Sequence, residues 1–172
     1  MKKALILAMI SAVIAVVLLQ LGSHDGRHPS HRTVGEIHGL SAALDSYKSD
    51  HESYPSDPLS TEQLRPNTSF DPASYIKASQ FLYRALSGGA DQGADGKNNV
   101  GRKAHLEFRR QMLRTGEAGG TYIVDPSGNA YGYSTFKSVH PESTDGNNLE
   151  YDLWSTGGGK REKDRSKWTK NW

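Results

Sequence analysis

The chain has 172 residues, 35% of them hydrophobic, with 18 glycines, no cysteine and a net charge of +2. That length suits one domain with an appendage, and the modest apolar content describes a loop-rich core rather than a large enzyme. The lack of cysteine excludes disulfides, thiolate metal sites and cysteine nucleophiles. Charge is unevenly placed: residues 160–172 hold six basic and two acidic side chains, a tail of +4 on a remainder of −2.

Met1-Lys2-Lys3 is a positive flank, and residues 4–19 form an apolar run in which only Ser11 is polar. A spanning helix needs about 20 such residues, and Leu21 extends the run. The expectation is a hydrophobic anchor over 1–22 that enters the inner membrane through residues 4–21 as a single pass. The positive end then stays inside and the globular part faces the periplasm. The alternative is a cleavable signal segment and a secreted or periplasmic product. Residues 23–33, interrupted by Gly26 and Pro29, read as a stalk. His24, His28 and His31 would share a face on a helix and invite a metal, but Pro29 lies among them, and the segment is read as a solvated basic linker.

Residues 34–55, VGEIHGLSAALDSYKSDHESYP, read as one amphipathic helix. Ile37, Leu40, Leu44 and Tyr47 recur at three- and four-residue steps on one face, opposite Glu36, Asp45 and Lys48. Tyr54-Pro55 is the expected stop, because proline lacks the N–H and restricts the residue before it. A second helix is expected from Pro72, capped by Ser69 or Asp71 and stopped by Gly88-Gly89, with Ile76, Ala78, Phe81, Leu82, Ala85 and Leu86 as its apolar face. Residues 88–101 form a glycine-rich insertion. It lacks the closing Glu of a calcium-binding EF-hand and the spacing of a phosphate loop.

The remainder reads as short strands: KAHLEF at 103–108, then 121–124, 130–136, and a last strand in which Leu149, Tyr151 and Leu153 alternate with Glu150 and Asp152. Asp125-Pro126-Ser127-Gly128-Asn129 is a turn, with Asp at its start, Pro presetting φ and Gly free to take positive φ. The fold class is therefore α+β: an amphipathic helix packed on a small antiparallel meander over a domain 34–172. No nucleophile elbow, His-Glu-x-x-His or phosphate loop is present, so no catalytic residue is assigned and the chain reads as a non-enzyme. Lysines interleave with Trp154, Trp168 and Trp172, but the rest of the chain is slightly acidic, and nucleic acid is not the expected partner.

Three stretches carry a family resemblance. The string V-x-E-I-x-x-L-x-x-A-L-D-x-Y-K-x-D-x-x-x-Y-P, with Leu44, Asp45, Tyr47, Tyr54 and Pro55, resembles the helix end of type II secretion pseudopilins of the major, G-type kind. DPSGNAYGY, with Asp125, Pro126, Gly128, Asn129 and Tyr131, resembles their Asp-Pro-Trp-Gly-Asn-Pro-Tyr-x-Tyr turn, Ser127 standing for the tryptophan. EYDLWSTGGG, with Asp152, Leu153, Trp154 and Gly157, resembles their Phe-Asp-Leu-x-Ser-x-Gly-x-Asp-Gly, and Asn171-Trp172 their closing Asn-Trp. The resemblance implies a pseudopilin-like head, a structural or interaction role in a type II secretion or type IV pilus-like envelope assembly, and other pseudopilins or secretion-machine proteins as partners. The alternative is a membrane-anchored, pseudopilin-derived binding module outside any fibre. The start departs from the pattern: the family opens its hydrophobic helix with Phe-Thr-Leu-x-Glu after a glycine, whereas residues 1–11 contain neither glycine nor glutamate. The family also binds one calcium ion in the loop before its Asn-Trp. The aspartate implied there falls on Gly158, leaving Asp164 as the candidate metal ligand of a degenerate site. No cofactor is expected, and Lys160 or Arg161 is expected to take the ion's place, paired with Asp164 or Asp152.

Overall fold

The computed structural model describes residues 31–89, 103–117 and 119–172. Helix α1 spans His31–His51, and its apolar stripe is buried: Ile37, Leu40, Ala43 and Leu44 are all less than 5% exposed. It starts earlier than the expected domain boundary. His31, Arg32 and Thr33 are helical rather than stalk, Thr33 is buried, and Arg32 bonds Glu36 one turn on at 2.8 Å. It also ends sooner. Glu52 adopts φ 64°, a left-handed conformation that stops the helix three residues before Pro55. Pro55 is left to accept a 2.7 Å hydrogen bond from the Tyr133 hydroxyl.

Among the described residues no helix is long and apolar enough to cross a membrane. The longest, α1, has 21 residues but carries Arg32, Glu36, Asp45, Lys48 and Asp50. The expectation of a membrane-anchored fold, with a single inner-membrane pass and a periplasmic head, is therefore corrected. The apolar run at 4–21, its anchor limits 1–22 and the stalk as far as residue 30 lie outside the described residues.

The second helix begins as a 3-10 turn, Pro72–Tyr75, and continues as α2, Ile76–Leu86. Asp71 caps it by accepting the Ala73 N–H at 3.0 Å, and Pro72 takes the first position, where a missing N–H costs nothing. Its buried face includes Ser79, absent from the apolar pattern. The Ser79 hydroxyl donates to the Ile123 carbonyl at 2.9 Å and accepts the Ile123 N–H at 3.0 Å, which satisfies the buried hydroxyl and fixes α2 to the strand that holds Ile123.

Among the described residues five short strands complete the α+β fold: β1 (Leu113–Thr115), β2 (Thr121–Ile123), β3 (Gly132–Ser134), β4 (Asp152–Ser155) and β5 (Thr169–Lys170). β1 and β2 form an antiparallel pair, and β3-β4-β5 an antiparallel sheet. A single bridge, Val124 to Ala130, joins the two across the Asp125 turn. α2 packs on β2 and β3, while α1 packs on β4 and β5. One short helix, α3 (Phe136–Val139), follows β3.

Two expected strands differ. Residues 103–108 are irregular: the His105 and Leu106 N–H groups both donate to the Leu86 carbonyl, at 2.8 and 3.1 Å, and cap α2 instead of entering a ladder. The last strand is shifted toward the C-terminus. Leu149 is 63% exposed, and Asp152, expected on the wet face, is 2% exposed.

Candidate functional site

The family-like turn, the β4 motif and the closing Asn-Trp come together around β4, the central strand of its sheet. Asp125 is buried, and its Oδ1 accepts the N–H groups of Ser127 (2.8 Å) and Asn129 (3.0 Å), which closes the turn. Its Oδ2 accepts the Ser155 hydroxyl of β4 at 2.6 Å, and the Asn129 amide donates to Thr156 Oγ1 at 3.1 Å. Burial pushes the Asp125 carboxyl above the ordinary aspartate range and outweighs the hydrogen bonds from Ser155, Asn129, Ser127 and Gly157. Asp152, the first residue of β4, repeats the pattern on the loop before it: it accepts the Asn147 and Asn148 N–H groups at 2.8 and 2.9 Å, and burial again raises its carboxyl.

The chain end closes on the same strand. Asn171 brackets Leu153: its side-chain oxygen accepts the Leu153 N–H at 2.9 Å, and its own N–H donates to the Leu153 carbonyl at 3.1 Å. Trp154 is fully buried among rings, with Tyr75 at 5.1 Å edge-on, Trp168 stacked at 6.1 Å and Trp172 at 6.0 Å. The position taken by tryptophan in the resembling turn, Ser127, is exposed. Trp168, which no motif singles out, packs in this cluster instead.

The helix-end motif lies on the neighbouring side of β4. Leu44 is fully buried in the core. Asp45 accepts the Tyr54 hydroxyl at 2.9 Å, Tyr54 packs edge-on against Tyr151 at 4.6 Å, and Tyr47 packs against the core beside them. Burial, then the Asp45 hydrogen bond, push the Tyr54 phenol up. The Tyr131 hydroxyl donates to Glu36 at 2.8 Å and ties the turn motif to α1.

The loop before Asn171 is held by its own charges. Gly157, at φ 57°, lets the chain pass so close to Lys167 that a Cβ there would lie 2.7 Å from the Lys167 carbonyl oxygen. Asp164 faces Arg161 Nε at 3.6 Å and Lys167 Nζ at 3.8 Å and accepts the Lys160 N–H at 3.4 Å. Partial burial works against its ionisation, but the Lys160 bond and the charges of Arg161 and Lys167 together outweigh it, so the carboxyl sits below the ordinary range. Of the expected pairings, Arg161 with Asp164 is present, Lys160 contributes its backbone alone, and Asp152 is bonded to its own loop. Lys167 is the partner the sequence reading missed. A calcium ion takes six to eight oxygens, usually with several carboxylates. One aspartate flanked by two cations does not fit it, and among the described residues no group of three or more His, Cys, Asp or Glu is arranged to hold a metal.

In comparisons with known proteins the chain matches no family model, no curated protein and no solved structure.

Proposed function

We propose that this chain supplies the head of a pseudopilin-like subunit, a structural and interaction component of a type II secretion or type IV pilus-like assembly, with other pseudopilins or proteins of the secretion machine as partners. The observation that carries the reading is the convergence of the family-like motifs on β4. The Asp125 turn grips Ser155, Asn171 brackets Leu153, and Trp172 lies against Trp154. Residues shared with one family by chance would not be expected to make up a single mutually bonded knot.

The chain has no cysteine, so introduced ones report contacts without background. Ala42→Cys and Ser49→Cys lie on the exposed side of α1. Oxidation in cells that assemble the full machine is expected to give an open-ended ladder of oligomers that disappears when the assembly proteins are removed. Monomer alone, with the machine working, would sink the fibre reading. It would favour a second one, a binding module outside any fibre, to which the absence of any acidic residue before Asp25 lends support.

A further inference from the structure

Beside the motif knot, the C-terminal loop concentrates charge: residues 160–170 hold all six cations and both carboxylates of the +4 tail. The structure sorts those cations into two sets. Arg165 is turned inward, where it donates to the Asn67 side-chain oxygen and lies 5.7 Å from the Trp168 ring. Lys167 faces Asp164 at 3.8 Å. Lys160, Lys163 and Lys170 are exposed and make no ion pair among the described residues. Arg161 also reaches Asp164, yet its side chain is 70% exposed. Glu162 is the one exposed acid of the loop, so four outward cations stand against one carboxylate, a surplus of +3.

These side chains stand on a backbone that is already fixed. The Lys160 N–H on Asp164 closes the start of the loop, Arg165 pins its middle to Asn67, and the pairing of Ser155 with Thr169 holds its end in the sheet. A partner that docks here loses little of its binding energy to ordering the loop.

The surroundings decide which anion fits. Trp154 and Trp168, which the sequence interleaves with these lysines, are 0% and 5% exposed, so they offer no stacking platform of the kind that single-stranded nucleic acid uses. Every exposed residue from 158 to 170 is glycine, serine or charged, so no apolar side chain is available to enter a bilayer. The anion that the loop already gathers is a carboxylate: Arg161, Lys167 and the Lys160 N–H all converge on Asp164. We propose that residues 160–170 form a docking surface for a protein segment rich in aspartate and glutamate, recognised through Lys160, Arg161, Lys163 and Lys170. The surface is small and polar, which describes a transient, electrostatically steered contact. It stands whether or not the chain joins a fibre.

The test is a titration of the full chain with an oligoglutamate peptide, followed through backbone amide resonances. The shifts are expected to gather on residues 160–170, with affinity falling about fivefold between about 20 and 150 mM sodium chloride. Lys160→Glu/Lys163→Glu reverses two exposed side chains that make no ion pair among the described residues. It is expected to leave the melting temperature unchanged and to weaken the peptide by about tenfold or more. Arg109→Glu/Arg110→Glu, an exposed pair outside the loop, changes the net charge equally and is expected to keep the affinity within about twofold. Equal weakening by both pairs would reduce the contact to net charge and overturn the surface. Loop resonances that ignore the peptide, or that answer phosphatidylglycerol vesicles or oligothymidylate at lower concentration than the peptide, would overturn it too.

Discussion

The Asp125 knot makes the most direct prediction, because one carboxylate serves donors from two parts of the chain. Asp125→Ala removes the acceptor of the Ser127 and Asn129 N–H groups and of the Ser155 hydroxyl. Ser155 is fully buried, so its orphaned hydroxyl costs about 1–3 kcal/mol, and the two half-buried backbone donors about 1 kcal/mol each. The sum, about 3–5 kcal/mol, is a large part of the stability of a domain this size and corresponds to a fall of about 10 °C in melting temperature. Asp125→Asn is expected to cost far less, about 1 kcal/mol. Its carbonyl oxygen can keep both backbone donors, and its amide can donate to Ser155 Oγ, consistent with a site where burial already favours the uncharged acid. The double variant Asp125→Ala/Ser155→Ala is expected to recover little, because Ser155 Oγ also accepts the Gly157 N–H at 3.1 Å and its removal orphans that donor. Urea denaturation followed by tryptophan fluorescence measures all three. Equal losses for Asn and Ala, or a loss below about 1 kcal/mol for Ala, would refute the assignment of Asp125 as the clasp between turn and strand.

Three further outcomes are expected. A Cβ at Gly132 would lie 2.0 Å from Trp154 Cε2, so Gly132→Ala should cost about 1–3 kcal/mol and change the tryptophan emission of the native state; native emission with unchanged stability would count against the packing described. His105 is held below its ordinary value chiefly by burial, with Lys103 and His51 adding to the effect and Asp50 opposing it. The unfolded chain therefore takes the proton first, so this group's stabilisation is complete above about pH 6.5 and declines as pH falls from there toward the folded value. His105→Gln should flatten the loss of stability between pH 7.5 and 6; an unchanged slope refutes the linkage. Calcium filling a site at 100 times its Kd would add about 2.7 kcal/mol, whereas with Asp164 between Arg161 and Lys167 neither millimolar calcium nor EDTA is expected to move the melting temperature. A rise on adding calcium that Asp164→Asn abolishes would restore the ion.

How far the fold could be read in advance depended on the range of the forces involved. The Asp125 turn was legible because Asp, Pro and Gly act within five residues, and Asp71-Pro72 for the same reason. The face of α1 was legible from its period, but its end was not. Nothing in the residue type of Glu52 announces φ 64°, and Pro55, the visible stop, serves as an acceptor for Tyr133 instead. The strands failed wherever a distant partner decided them. The alternation from Leu149 to Leu153 places Asp152 in water. The Asn147 and Asn148 N–H groups turn that carboxylate inward, and burying it carries Leu149 out. β5 exists because Thr169 and Lys170 meet β4 across the closing loop, a pairing that two residues cannot signal by themselves.

The candidate site follows the same division. Residues matched to a motif were identifiable one by one, and the structure adds the partners that give them work. Ser155 and Thr156 hold the turn, and Trp168 fills the ring cluster beside Trp154. The loop at Asp164 shows why this matters for chemistry. Its aspartate alone would pass as the remnant of an ion site, and Arg161 alone as its stand-in. Lys167, three residues beyond on the same 3-10 turn, makes the carboxylate's second ion pair. The C-terminal loop is thus closed by the chain's own cations, so any contact that this loop makes with a partner should depend on ionic strength before it depends on a divalent metal there.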